Sequence, residues 1–357
     1  MIIMRKEATQ EQIKRVVSEI KKHGLRFDIS RGEFRTVIGL VGDEGQISFA
    51  HLATLPGVKE ARMIETPYKL ISREYNELFQ AKVESKIVKV GDIEIGGSQP
   101  VFVAGPCAIE SRKQLFRIAE EVKIAGAHIL RGGIFKPRSS VHSFQGLGSL
   151  GPEEAEEALN WLRDAGKMFG MPVMTEVRGE SQVDLIAEYV DILQIGARNM
   201  YDQDLLGKVG RKGKPVLYKR HFGASIEEFL SFSEYIAAEG NKDIILCERG
   251  IVPVGKGKSH TRYTLDLAAV LVVQKETYLP IVVDPSHATG RRDLIFNMSC
   301  AAIATGASGL LIEVHYDPAE ALVDAEQMIT PEELKRIIDT SKRINKVVRN
   351  KNYSGVG

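Results

Sequence analysis

Residues 215–250 read PVLYKRHFGASIEEFLSFSEYIAAEGNKDIILCERG, and this stretch decides the fold. An apolar run at 215–218 ends in the charged pair Lys219-Arg220. Residues 225–239 carry apolar side chains at helical spacing, and a second apolar run at 243–246 ends in Cys247-Glu248-Arg249-Gly250. Strand, polar strand end, helix, strand is the pattern of a parallel βαβ unit. Its strands are covered on both faces, so they read as continuous apolar runs.

The same pattern recurs on either side. Runs at 101–104, 128–130, 172–175, 191–194, 280–283 and 309–312 bring the total to eight, with helical patterns such as 152–169 and 330–348 between them. Eight such units in roughly 250 residues match a (β/α)8 TIM barrel, an α/β fold. A doubly wound open sheet is the alternative that the alternation alone allows. The polar residues favour the barrel, because every run is followed by some. In chain order they are Cys107, Arg131 with Lys136 and Arg138-Ser139, Glu176, Gln194 with Arg198, Lys219-Arg220, Glu248-Arg249, Asp284 with His287, and Glu313 with His315 and Asp324. Strand ends converge on one face of a barrel, where its active sites lie; an open sheet would spread them along a row.

Upstream of the barrel, residues 1–64 read as a small βαββαβ unit that suits a ferredoxin-like fold. Thr9 and Gly24 are expected to cap its first helix, and Ser30-Arg31-Gly32 to turn between two strands. The expected division is a regulatory domain at 1–66, a linker and hairpin at 67–99 turning at Gly91-Asp92, and a catalytic barrel at 100–350. The 357-residue length fits two domains.

Composition excludes several classes. Lys+Arg total 48 against 47 Asp+Glu, so no bulk positive charge is available to hold nucleic acid. No apolar run approaches the ~18 residues of a membrane span. The first residues lack the apolar core of a signal peptide, and three scattered cysteines make no disulfide framework. A cytoplasmic protein is expected.

Two chemical groups stand at the strand ends. Arg131, Lys136, Arg138, Arg198, Lys219 and Arg249 are cations that would repel one another on one face without an anionic ligand. Arg suits bidentate carboxylate and phosphate binding, so the group points to substrates carrying several negative charges. Each taken singly could equally be a surface charge paired with a nearby acid. Cys107, His287, Glu313 and Asp324 form a mixed-donor set suited to a borderline divalent metal such as Mn, Fe, Co or Zn. Cys107 alone could be a buried small hydrophobe, and His287 a structural loop histidine. Glu313 interrupts an apolar run, where an unpaired carboxylate would be costly. His315 shares its strand face and is a supporting or substrate-contacting candidate. Gly146–Gly151 fits a GxGxxG spacing but follows no apolar strand, so it is not taken as a dinucleotide site.

GPCAIES (105–111), LRGGIFKPRSS (130–140), IGARN (195–199), CERG (247–250), DPSHATGRRDL (284–294) and IEVH (312–315) resemble type I-beta 3-deoxy-D-arabino-heptulosonate 7-phosphate (DAHP) synthases. RTVIGLVGD (35–43) and PYKLISRE (67–74) resemble the ferredoxin-like regulatory domain that some members carry. The resemblance implies an aldol-type condensation of phosphoenolpyruvate with erythrose 4-phosphate that releases phosphate, the first step of the shikimate pathway. It implies Cys107, His287, Glu313 and Asp324 as ligands of one divalent metal ion. Arg131, Lys136, Arg198, Lys219 and Arg249 would hold phosphoenolpyruvate, and Arg138 and Ser139 the aldose phosphate. Lys136, Cys107 and His287 are the expected catalytic residues, with Lys136 or a water at the metal delivering a proton. A homotetramer is implied, with feedback by tyrosine or phenylalanine through an effector loop carrying Asp28 and Ser30.

Val141-His142, His221 and the longer stretch 252–260 depart from the family's pattern, all around the aldose-phosphate side. The enzyme alternative is 3-deoxy-D-manno-octulosonate 8-phosphate (KDO8P) synthase, which uses arabinose 5-phosphate and has KANR where this chain has Lys136-Pro137-Arg138. A non-catalytic aromatic amino acid sensor is the alternative from another class.

Overall fold

Thr9 accepts a hydrogen bond from the backbone N–H of Gln12, and the Gln12 side chain accepts one from the Thr9 N–H. This capping box starts the helix Gln10–Lys22, which buries Ile13, Val16 and Ile20 along one face. That face packs on an antiparallel sheet made by β1 (Ile2–Met4), β2 (Arg26–Arg31), β3 (Thr36–Val41) and β4 (Val58–Ala61), in the order β2-β3-β1-β4. A short helix, Phe49–Ala53, precedes β4 and completes a ferredoxin-like βαββαβ unit. In this computed structural model the described residues are 1–31, 36–41, 44–63, 66–77, 83–136, 142–254 and 260–349.

One expectation for this unit is corrected. Ser30 and Arg31 do not turn; they continue β2 and pair with Val37 and Thr36 of β3. Asp28 pairs with Gly39 in the same ladder, so Asp28 and Ser30 lie on a strand rather than a loop. Strand pairing outcompetes the turn signal at Ser30-Arg31 because each added residue keeps its backbone groups bonded; Gly32 lies outside the described residues.

The chain divides into compact units at 1–84 and 85–357. The second unit opens with a hairpin, β5 (Val88–Val90) and β6 (Ile93–Ile95), turning at Gly91-Asp92. Its Val88, Val90 and Ile95 enter the same buried core as Val101, Ile129, Ile192, Leu217, Ile245 and Leu311 of the strands that follow. The hairpin therefore belongs to the barrel's core.

Those strands are β7 (Val101–Gly105), β8 (Ile129–Arg131), β9 (Val173–Val177), β10 (Ile192–Ile195), β11 (Val216–Lys219), β12 (Ile244–Glu248), β13 (Ile281–Val283) and β14 (Gly309–Glu313). They form a closed parallel barrel, sealed where β14 pairs with β7 from Gly309↔Val101 to Glu313↔Gly105. Helices Pro152–Phe169, Ile226–Ala238 and Pro331–Val348 fall where the sequence places them. Ser225 with Glu228 and Thr330 with Glu333 close capping boxes at the last two.

The strands run one or more residues past several of the apolar runs. Arg131, Lys219, Glu248 and Glu313 are thereby the last residues of β8, β11, β12 and β14. A charged side chain there has a bonded, rigid backbone beneath it and the open barrel mouth above it.

Candidate active site at the barrel mouth

Cys107, just beyond β7, and Glu313, ending β14, are both fully buried. His287 comes from the short helix Pro285–Thr289 after β13, and Asp324 from the loop after β14. One ligand atom from each of the four lies within 4.8 Å of every other. Donors bound tetrahedrally to one ion at ~2.0–2.3 Å stand about 3.3–3.8 Å apart, so the set lies near the spacing of a metal site. Cys107 Sγ is 3.3 Å from Asp324 Oδ2, and His287 Nε2 is 3.3 Å from Glu313 Oε1. Asp324 holds a left-handed backbone, φ +54°, the one such non-glycine residue among those described. Strain of this kind persists where its surroundings demand it.

Buried partners orient these four. Asp284, fully buried, accepts from the His287 backbone N–H at 2.9 Å and lies 2.8 Å from its Nδ1. That contact turns Nε2 toward Glu313, the carboxylate–histidine arrangement that orients metal ligands. Lys219 Nζ donates to the same Asp284 at 2.6 Å. Burial alone would raise the Asp284 pKa, but His287 and Lys219 hold it well below the usual carboxylate range. Glu313 is likewise held low against burial by His287, Arg131 and Lys136. Arg131 Nη1 donates to Glu313 Oε1 at 2.8 Å and to the Pro106 carbonyl at 2.7 Å. Burial and the Glu313 charge push the Cys107 thiol well above its ordinary value. Burial lowers the His287 pKa, so the imidazole is neutral at pH 7.

Gln327, also fully buried, donates through Nε2 to Glu313 Oε2 and, at 3.4 Å, to Asp324 Oδ2. Turned around, its carbonyl would face both carboxylates, so the charges fix the amide's orientation.

Beside this cluster is a cavity of about 370 Å³ lined by Lys136, Glu176, Arg198, Lys219, Arg249, Arg262, Tyr263, His287 and Asp324. Lys136 is buried; desolvation works against its charge, yet Cys107 and Glu313 hold its pKa above the ordinary value. Glu176 accepts from Gln194 Nε2 at 3.0 Å and presses on Gly196, where a Cβ would stand 2.1 Å from Glu176 Oε1. Arg198 and Arg249 have no ion pair among the described residues. Arg249 is 7% exposed, and its Nη1 is buried without a partner.

Of the expected site residues, Cys107, His287, Glu313 and Asp324 come together, and Lys136, Arg198, Lys219 and Arg249 line one cavity. Arg131 and Lys219 are each already paired with a buried carboxylate, Glu313 and Asp284 respectively. Arg138 and Ser139 lie outside the described residues. His315 does not line the cavity; its Nδ1 accepts from the Asp317 backbone N–H at 3.1 Å. Reasoning from sequence assigned no role to Asp284, Gln327, Arg262 or Tyr263. Only Asp284 carried a signal, three residues before His287 at the end of an apolar run.

A parallel barrel whose mouth joins a mixed-donor cluster to a cationic cavity defines an enzyme of anionic substrates. The DAHP synthetase I family profile matches residues 77–350, and that of the DAHP synthase ferredoxin-like domain matches residues 1–66. The chain belongs to the DAHP synthetase I family. It is 43% identical over 344 residues to phospho-2-dehydro-3-deoxyheptonate aldolase of Thermotoga maritima, covering 96% of this chain and 97% of that protein. A crystal structure of a Thermotoga maritima DAHP synthase matches with a TM-score of 0.74 at 42% identity over 97% of each chain. 2-Dehydro-3-deoxyphosphooctonate aldolase of Syntrophobacter fumaroxidans is more distant, at 30% over 272 residues, 71% of this chain and 90% of that protein.

Proposed function

We propose that this protein is a DAHP synthase, condensing phosphoenolpyruvate with erythrose 4-phosphate and releasing phosphate in the first step of the shikimate pathway. The observation that carries the reading is one barrel mouth holding both the four-donor cluster and the cationic cavity, in a chain of this family. Cys107, His287, Glu313 and Asp324 would hold one divalent ion; their donors suit Mn, Fe, Co or Zn. Bound there, the metal would supply Lewis-acid polarisation of the aldehyde carbonyl.

The chain's own groups do the rest. Arg198, Arg249 and Lys219 neutralise the carboxylate and phosphate of the enol substrate and hold it for attack by its carbon 3 on the aldehyde carbon. Arg131 orients Glu313, and its buried Nε, without a partner among the described residues, is left for the same anion. Lys136 stays an ammonium, so it is a cation and a proton donor to the forming alkoxide rather than a base. Water then adds at carbon 2, and phosphate leaves. Arg138 and Ser139 would take the aldose phosphate.

Residues 1–66 are assigned a regulatory role, with tyrosine or phenylalanine as effector near Asp28 and Ser30. The working unit is a homotetramer in the cytoplasm. Among the described helices none is long and apolar enough to cross a membrane. Deleting residues 1–64 should relieve inhibition; a full-length enzyme insensitive to all three aromatic amino acids contradicts this role.

Phosphate release tests the activity. Turnover is expected with phosphoenolpyruvate plus erythrose 4-phosphate, lost in EDTA and restored by added metal. Turnover with arabinose 5-phosphate alone would overturn the substrate, and full activity in EDTA would overturn the metal.

A further inference from the structure

Among the cavity's cations Arg249 is held in an unusual way. It is nearly buried, yet no hydrogen bond or ion pair to a described residue holds its guanidinium, and Nη1 has no partner. What it does have is an aromatic face: its Cζ lies over the Tyr263 ring, 4.3 Å from the centroid. Phe222 stacks on Tyr263 at 5.2 Å and 20°, and His221 lies 4.0 Å from Phe222.

The backbone builds this floor. Tyr263 N–H donates to the Ala288 carbonyl at 2.8 Å, Ile251 and Thr264 exchange both backbone bonds at 2.9 Å, and Val252 N–H donates to the Phe222 carbonyl at 2.8 Å. Tyr263 can approach so closely only because residue 250 is glycine. With φ at +93°, a Cβ there would stand 2.7 Å from the Tyr263 Cβ. The stack includes His221, one of the positions where this chain departs from its family's pattern, and Tyr263 closely follows another, the longer stretch 252–260.

We infer that Tyr263, backed by Phe222, is a positioning residue: its ring face fixes the Arg249 guanidinium so that its free N–H groups point at the anionic group of the enol phosphate. A carboxylate in that place would fix Arg249 equally well but would cancel the charge the substrate needs. A ring face attracts the cation and leaves its donors free. This rests on the DAHP synthase reading, in which Arg249 binds phosphoenolpyruvate.

Phosphoenolpyruvate binding by calorimetry, with KM and kcat for both substrates, tests it on the full-length protein. Tyr263→Leu should raise the phosphoenolpyruvate Kd and KM about 3- to 30-fold, with kcat and the erythrose 4-phosphate KM changed less than about twofold. Tyr263→Phe, which keeps the ring, should restore binding to within about twofold. Phe222→Leu should weaken binding in the same direction by a smaller factor, and it reads the floor even if Tyr263→Leu does not fold. In an Arg249→Leu background, Tyr263→Leu should have no further effect. Unchanged binding in Tyr263→Leu, or an equal loss in the Arg249→Leu background, overturns the inference. Failure of the wild-type protein to bind phosphoenolpyruvate would instead strike the functional reading.

Discussion

Around Glu313 and Asp284, cations rest on buried carboxylates: Arg131 on Glu313 and Lys219 on Asp284, which also holds the His287 Nδ1. Around Arg249 and Arg198, none does among the described residues. Both regions are built from strand ends and the loops just beyond them, so the fold does not explain the contrast. The first region holds a geometry that must exist before any ligand arrives, since a metal accepts only a narrow range of donor positions. The second keeps charge available for substrates that bring their own. The difference should appear as a division of effects, with substitutions in the first region costing stability and metal affinity and those in the second costing substrate affinity.

The largest effect is expected at Asp284. D284A strands the Lys219 ammonium without a counter-charge in the interior and the His287 Nδ1 without its partner, and should destabilise the barrel by about 3–5 kcal/mol. A shift in denaturation midpoint measures it; a loss under about 1 kcal/mol would mean the pairing is not structural. Next comes Gln327. Q327L leaves Glu313 and Asp324 without their shared donor and should weaken Mn²⁺ or Co²⁺ binding to the metal-free protein by about 10–100-fold. Unaltered metal affinity would remove Gln327 from the account.

The third effect is a pH dependence. Burial and Glu313 keep the Cys107 thiol protonated at neutral pH, while His287 is already neutral and Glu313 already ionised. Metal binding must therefore expel about one proton, and affinity should rise about tenfold per pH unit through the neutral range. Calorimetry in buffers of different ionisation enthalpy counts that proton; affinity independent of pH would place the thiolate outside the site. The smallest effect is on stability at Arg249. R249L removes no buried ion pair and should shift unfolding by under about 1 kcal/mol while sharply raising the phosphoenolpyruvate KM. A stability loss as large as that of D284A would erase the contrast.

The barrel was legible because eight covered strands leave eight apolar runs, and Arg131, Lys219, Glu248 and Glu313 marked their ends. The metal set needed the resemblance as well as residue types, since Cys107 and Asp324 are 217 residues apart and share no local spacing. The clamps were not legible. Lys219 reads the same in sequence whether or not a buried Asp284 pairs with it, and only distance shows the pair. Gln327 and Tyr263 gave no signal, because an amide between two carboxylates and a ring under a guanidinium are facts of side-chain packing. The turn at Ser30-Arg31 was misread because a local turn preference yields to strand pairing.

Diffraction from crystals soaked in Mn²⁺ and phosphoenolpyruvate would locate both the metal and the enol substrate. One anomalous peak is expected, bonded to Cys107 Sγ, His287 Nε2, Glu313 and Asp324, with the enol phosphate's charged groups against Arg249 and Arg198. Saturating Mn²⁺ bound away from those four residues, or phosphoenolpyruvate bound away from those arginines, would contradict it.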